Sequence, residues 1–183
     1  MKRCVRCLYP DTKVDLHFDE KGVCSACRSY EKRKLIDWKA REAELLSILE
    51  TGKNDSGYDV IVPSSGGKDS HWQVLKLIEL GVRPLVVTAT TCHLTEIGRA
   101  NIDNLARYAT TIEVTPNRTV RAKLNRLGLT LVGDISWPEH INIHRVPFRM
   151  ACDLGIPLVF YGECPNEAYG GPPGTEETME MTQ

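Results

Sequence analysis

Tyr58-Asp59-Val60-Ile61-Val62-Pro63-Ser64-Ser65-Gly66-Gly67-Lys68-Asp69-Ser70 is the stretch from which this chain is best read. Val60 to Val62 is a short apolar run, as in a strand buried inside a parallel sheet. Ser64-Ser65-Gly66-Gly67 follows, four small residues that let backbone approach a ligand closely. A helical pattern then begins, with Trp72, Leu75 and Ile78 on one face. A strand, a glycine turn and a helix start together make an anion site. The free N–H groups of the first helical turn and the helix dipole both point at the turn, and Lys68 adds a mobile positive charge. The turn is not a Walker A loop, which has Gly five residues before Gly67, where this chain has Val62, and Ser or Thr in place of Asp69. Nor is it G-x-G-x-x-G. It reads as a phosphate-binding βα turn of another kind.

Working outward, apolar runs alternate with helical periods. Strands are expected at about 58–63, 84–88, 111–114 and 156–161. Helices are expected at about 69–80, 95–109 and 118–127, with a broken helical segment at 138–154 that contains Pro147. Alternating elements of this kind predict an α/β fold, a doubly wound parallel sheet with right-handed crossovers. Ligands of such sheets bind at the carboxyl ends of the strands. Residues 65–70, 88–92 and 162–164 all fall there.

Upstream, Cys4-x2-Cys7 and Cys24-x2-Cys27 are separated by sixteen residues. Two such knuckles can close a tetrahedral zinc site. Between them Val14-Asp15-Leu16-His17-Phe18 alternates like a strand, and Glu20-Lys21-Gly22 is turn-like. The reading is a zinc ribbon over residues 1–34 with a filled coordination sphere, hence structural rather than catalytic Zn2+; an iron–sulfur cluster and redox or disulfide cysteines are the alternatives. Residues 35–50 read as one amphipathic helix with Leu35, Trp38, Leu45, Leu46 and Leu49 on its apolar face, and 51–57 as a linker. The expected organisation is a ribbon at 1–34, a connecting helix and linker at 35–56, a nucleotide-binding domain at 57–165 and an extended or disordered tail at 166–183.

The totals are those of a globular protein of 183 residues with a net charge of −1, so no global field draws it to nucleic acid or membrane. Charge is uneven: residues 1–34 carry nine Lys and Arg against five Asp and Glu, whereas residues 163–183 carry five Glu and no base. No apolar run approaches membrane-spanning length, and the N-terminus lacks the apolar segment of a signal peptide. A cytoplasmic protein is expected, with its seven cysteines as thiols or metal ligands.

Residues 65–70, Ser65-Gly66-Gly67-Lys68-Asp69-Ser70, resemble the PP-loop of the ATP pyrophosphatase superfamily, whose members split ATP between the α- and β-phosphates. The resemblance implies the adenine nucleotide alpha hydrolase-like version of the doubly wound sheet. Four stretches resemble one family within it, the N-acetyl sugar amidotransferases of the WbpG/PseA type. They are Lys2-Arg3-Cys4-Val5-Arg6-Cys7 with Cys24-Ser25-Ala26-Cys27; Ile61 to Trp72; Thr95-Glu96-Ile97-Gly98-Arg99 with Asn101, Asp103, Asn104 and Leu105; and Ile156 to Glu163 followed by Glu167-Ala168-Tyr169-Gly170-Gly171.

That resemblance implies conversion of an acetamido group on an activated sugar to an acetamidino group, in surface-glycan biosynthesis such as that of lipopolysaccharide. ATP and Mg2+ would bind across residues 65–70. The acetamide oxygen would attack the α-phosphate, and ammonia would displace AMP. By the same resemblance Gly66, Gly67 and Lys68 neutralise the departing pyrophosphate, and the Ser65 and Ser70 hydroxyls bond phosphate oxygens. Asp69 serves on the Mg2+ side or caps the helix. Thr88, Ala89 and Thr90 line the adenine and ribose, while Gly162 and Glu163 face Mg2+ or substrate. Lys68 and Asp69 are the expected catalytic pair. Ammonia would come from a glutaminase partner resembling that of imidazole glycerol phosphate synthase (HisH-like), with a cyclase-like HisF-like companion. Family members run well beyond Gly171, so the chain reads as a shortened member, and Cys164 stands where a polar residue is expected.

Two other readings share the motifs. A tRNA thiolase also joins a zinc module to a PP-loop, and Cys92 and Cys164 at strand ends are candidate sulfur carriers. Against it stand the absence of a second paired-cysteine motif and of a broad basic surface. A non-catalytic zinc and nucleotide-binding module is the other. His140 and His144 lack the Glu of H-E-x-x-H and read as surface or substrate-facing, and Cys152 as core.

Overall fold

The computed structural model describes residues 1–13, 15–90 and 94–162. These fall into two bodies, residues 1–43 and 44–162.

The first body has little apolar interior: Cys4, Leu16 and Cys24 are its buried cluster, with Phe18, Ala26 and Cys27 against it. Two antiparallel bridges, Arg3 to Pro10 and Phe18 to Cys24, close the turns that carry the cysteines. Helix α1, Ser25–Lys32, then starts directly from the second knuckle. The sequence reading assigned no helix there, because these residues are mostly polar and show no apolar period. Its start is set by Cys24 as N-cap, whose thiol accepts from the Cys27 N–H. The single helix expected over 35–50 is also corrected. Arg33–Leu35 forms a 3-10 turn, and helix α2 runs Trp38–Thr51. Asp37 separates them, its carboxylate accepting from the N–H groups of Lys39 and Ala40. The presumed apolar face is largely solvated, with Leu35 at 86% and Trp38 at 57% exposure; Leu49 alone of the five is buried.

The second body is the α/β one. Strands β1 (Val60–Pro63), β2 (Pro84–Ala89) and β3 (Thr110–Val114) are parallel and lie in that order. Between them run helix α3, Lys68–Glu79, and helix α4, Glu96–Leu105. After β3 come helix α5, Arg118–Leu127, a π-helical turn at Gly128–Val132 and helix α6, Trp137–Leu154. The chain then returns to the free side of β1. There Ile61 donates to the Leu158 carbonyl (2.9 Å), and Phe160 donates to that of Ile61 (2.8 Å). The expected fourth strand is therefore short, a parallel bridge of Val159 with Ile61. Strand order reverses at β1, and a crevice opens at such a point beyond the strand ends.

Both faces of the sheet are covered. Val60, Val62 and Val86 pack with Val74 and Leu77 of α3, Leu105 of α4 and Leu49. Ile61, Leu85 and Val87 pack on the other face with Ala151 of α6 and Ile156. Each such Val, Leu or Ile side chain contributes about 1.5–3 kcal/mol by leaving water. The face of α3 differs from the sequence reading: Ser70, Gln73, Val74 and Leu77 are buried, while Trp72 is 64% exposed. The segment at 138–154 is not broken either. Pro147 sits fully buried within a continuous α6. Pro147 leaves the Ile143 carbonyl without its helical donor; the next carbonyl, that of His144, accepts from the Tyr161 hydroxyl (3.0 Å).

At the amino ends of the strands, Asp59 is 2% exposed and paired with Arg83. The Arg83 backbone N–H and Nε both donate to Oδ2, at 2.8 and 3.0 Å. Hydrogen bonds from the Arg83 side chain hold the Asp59 carboxyl below its ordinary range, against the opposing effect of burial. No helix among the described residues is long and apolar enough to cross a membrane.

Candidate functional site

The turn after β1 is built around two glycines. Gly66 has φ +78, and a Cβ there would stand 2.7 Å from Cγ1 of Ile102 on α4. Only glycine meets both demands. Gly67 is the N-cap of α3 and has no side chain to cap with. Among the described residues, no hydrogen bond takes up the N–H groups of Lys68, Asp69 or Ser70. Those three donors stand at the positive end of a 12-residue helix, at the carboxyl end of β1.

Hydroxyls brace the turn from beneath. Ser64 Oγ donates to Ser70 Oγ at 2.9 Å and accepts from the Gly66 N–H at 3.0 Å. Ser70 Oγ in turn donates to the Gly67 carbonyl at 3.1 Å. The Ser70 hydroxyl thus supports the loop in this conformation. Lys68 and Asp69 stand out in solvent, Nζ to Oδ1 at 2.7 Å, with side chains 89% and 80% exposed. Asp69 occupies the first turn but does not cap the helix.

The end of β2 lies beside this turn, and Ser64 donates its N–H to the Val87 carbonyl at 3.0 Å. Thr88 is buried, and the hydroxyls of Thr88 and Thr90 are enclosed with no partner among the described residues. Enclosed hydroxyls without partners cost energy. Gly162, past Val159, packs so tightly on Gln73 of α3 that a Cβ would fall 2.0 Å from Nε2. Glu163, Cys92 and Cys164 lie outside the described residues.

A second concavity of ≈ 430 Å³ opens beside Thr90, lined by Leu124, Leu131, Trp137, Ile141 and Arg145 among others. Sequence periodicity does not reveal it, because it depends on the π-helical turn swinging α5 against the start of α6. Arg99, within the third resembling stretch, has a structural tie: its guanidinium joins Asp103 and Glu113, each at 2.7 Å.

In the first body, the thiols of Cys4, Cys7, Cys24 and Cys27 lie within 4.8 Å of one another. Cys4 and Cys27 are 3.9 Å apart, Cys7 and Cys24 3.5 Å. Four thiolates about 2.3 Å from one zinc ion would stand about 3.8 Å apart, so the four fit a tetrahedral metal. Burial pushes the Cys27 thiol up to about 12, and the neighbouring cysteine side chains add to the rise. Burial opposes ionisation of Cys4 as well, but N–H donors of Cys7, Cys24 and Arg6 outweigh it and bring that thiol down to about 6. Such a cluster cannot ionise completely without a cation at its centre. His17 is not among the four.

No family model matches the chain, and no curated protein does. Among solved structures, one described as a predicted subunit of tRNA methyltransferase from Methanocaldococcus jannaschii is similar over 64% of this chain and 58% of that chain, at 18% sequence identity and a TM-score of 0.38. A likeness of this extent does not bear on activity.

Proposed function

We propose that this chain binds ATP across residues 65–70 and uses it to activate an acetamido group on a sugar nucleotide for amination. The observation that carries this reading is the uncapped start of α3 at the strand-order reversal, where three N–H groups have no acceptor among the described residues.

In this reading the acetamide oxygen attacks the α-phosphate, forming an O–P bond as pyrophosphate leaves. Ammonia adds to the resulting imidate carbon, and AMP departs with the C–O bond. The first-turn N–H groups and the Lys68 ammonium stabilise the charge growing on pyrophosphate. Thr88, Ala89 and Thr90 line the nucleoside. Mg2+, when bound, neutralises phosphate charge, and Asp69, 80% exposed at the rim, is the carboxylate that would hold it, with Glu163 as a second. The groove beside Thr90 offers apolar walls and Arg145 to the acceptor. The cysteine cluster holds Zn2+ structurally. Ammonia is supplied by a separate glutaminase subunit with its cyclase-like companion, and the protein works in the cytoplasm.

The test incubates the chain with ATP, Mg2+, ammonium and a panel of acetamido sugar nucleotides, and follows AMP and pyrophosphate. AMP formation that depends on one sugar supports the reading. ATP binding without AMP would leave a nucleotide-binding module, and no binding at millimolar ATP would sink the reading for this chain.

A further inference from the structure

The Gly67 carbonyl receives more than a helix N-cap ordinarily does. It accepts from the His71 backbone N–H at 3.2 Å and from Ser70 Oγ at 3.1 Å. Nδ1 of the His71 ring lies 3.0 Å from the same oxygen. On the far side of that ring, Nε2 lies 3.2 Å from Nδ2 of Asn104, in the last turns of α4.

The two partners decide where the ring carries its proton. A carbonyl oxygen can only accept, so Nδ1 carries the hydrogen. An amide nitrogen can only donate, so Nε2 offers its lone pair. The ring is therefore the neutral Nδ1–H tautomer, held at both nitrogens. The consequence reaches the anion site through the planarity of one peptide. The Gly67 carbonyl and the Lys68 N–H belong to the same unit and point in opposite directions. Pinning the carbonyl down into the helix aims the Lys68 N–H outward, beyond the start of α3. Three donors on one carbonyl also polarise that peptide and strengthen its N–H as a donor. Two residues of α4 thus meet the turn: Ile102 against Gly66 and Asn104 through His71.

We propose that His71 is a positioning residue for the anion cradle, which in its Nδ1–H form, oriented by Asn104, fixes the Gly67–Lys68 peptide for phosphate. The role rests on the nucleotide-binding reading above, but its physical core can be tested without it.

The experiment compares wild type with His71→Leu, His71→Asn and Asn104→Ala. Inorganic pyrophosphate and ATP with Mg2+ are the probes, in calorimetric titrations. Nitrogen-15 NMR reports the ring tautomer and the Lys68 amide. Wild type should show Nδ1–H at neutral pH. His71→Leu should bind roughly tenfold more weakly, the loss expected for one hydrogen bond acting on a charged ligand. His71→Asn keeps an N–H near the Nδ1 position and should recover most of that loss. In Asn104→Ala the Gly67 carbonyl still requires Nδ1–H, but Nε2 loses its partner, so the ring should be less firmly oriented, with a smaller loss of affinity; this variant also serves if His71→Leu does not fold. An Nε2–H ring or an imidazolium in wild type overturns the proposal, as does unchanged pyrophosphate affinity in both His71→Leu and Asn104→Ala. If wild type binds neither probe, the nucleotide reading fails instead. The positioning role is then judged by the tautomer and by whether the Lys68 amide resonance moves in His71→Leu and returns in His71→Asn.

Discussion

The two bodies of this chain organise a ligand in opposite ways. In residues 1–43 the candidate ligands are side chains, four thiols converging on one point with hardly any apolar core behind them. In residues 44–162 the candidate donors are backbone N–H groups at a helix start, set on a sheet buried on both faces. In the first, a metal ion held by the four thiols would supply the missing interior. In the second, the interior is complete and the site is a by-product of where it stops. Removing a ligand should therefore be catastrophic for one and nearly neutral for the other.

The sharpest test is to take the metal away. Chelation, or Cys4→Ser, should unfold the first body, since a structural zinc contributes on the order of 10 kcal/mol to such modules. NMR signals of residues 1–32 should collapse while pyrophosphate binding persists, because the cradle uses no thiol. Loss of both would break the comparison. Metal binding should also release protons, since Cys27 is pushed up to about 12 without it. Affinity should therefore fall as pH is lowered, seen in zinc competition titrations.

Gly66→Ala comes next. A left-handed φ and a Cβ 2.7 Å from Ile102 should together cost about 2–4 kcal/mol, read by urea denaturation, and should abolish pyrophosphate binding. Arg83→Met leaves the buried Asp59 carboxylate without its cation. A cost of about 2 kcal/mol is expected, below the usual range for a fully buried pair because Arg83 is half exposed. The Asp59 carboxyl is lowered in the folded state. Its stabilisation is therefore present above the unfolded value near 3.9 and is lost as pH falls through the lower folded value. In Asp59→Asn the decline of stability below about pH 4 should be shallower. The smallest effect on stability is that of Lys68→Ala: no change in melting, because the side chain is 89% exposed, but roughly tenfold weaker pyrophosphate binding, the scale of one charge-assisted hydrogen bond to phosphate.

Much of this was legible residue by residue. The apolar run at 60–62, the alternation of strand and helix periods and the two Cys-x2-Cys pairs each depend on neighbours in sequence, and each appears in the structure. Less local features were not legible. Trp72, Leu75 and Ile78 share a helical face, yet it is Val74 and Leu77 that meet the sheet, since the approach angle of α3 selects between adjacent stripes. The helix at Ser25–Lys32 has no apolar period to announce it and is started by a cysteine that also belongs to the metal cluster. That α6 runs unbroken through a fully buried Pro147 is likewise not announced by any local pattern.

The cradle shows the same division. Its identity as a strand, glycine turn and helix start is written in residues 60–70, because φ freedom and unpaired first-turn N–H groups are local properties. Its supports are not. Ser64 looked like one more small residue until its hydroxyl was found between Ser70 and Gly66. His71 and Asn104 are 33 positions apart and meet only because the chain brings α4 back beside α3. Sequence alone determined which backbone groups are free to bind an anion, since that is set within one turn of chain. Only the tertiary structure decided how they are held, because a hydrogen bond between helices exists only once the sheet has brought them together.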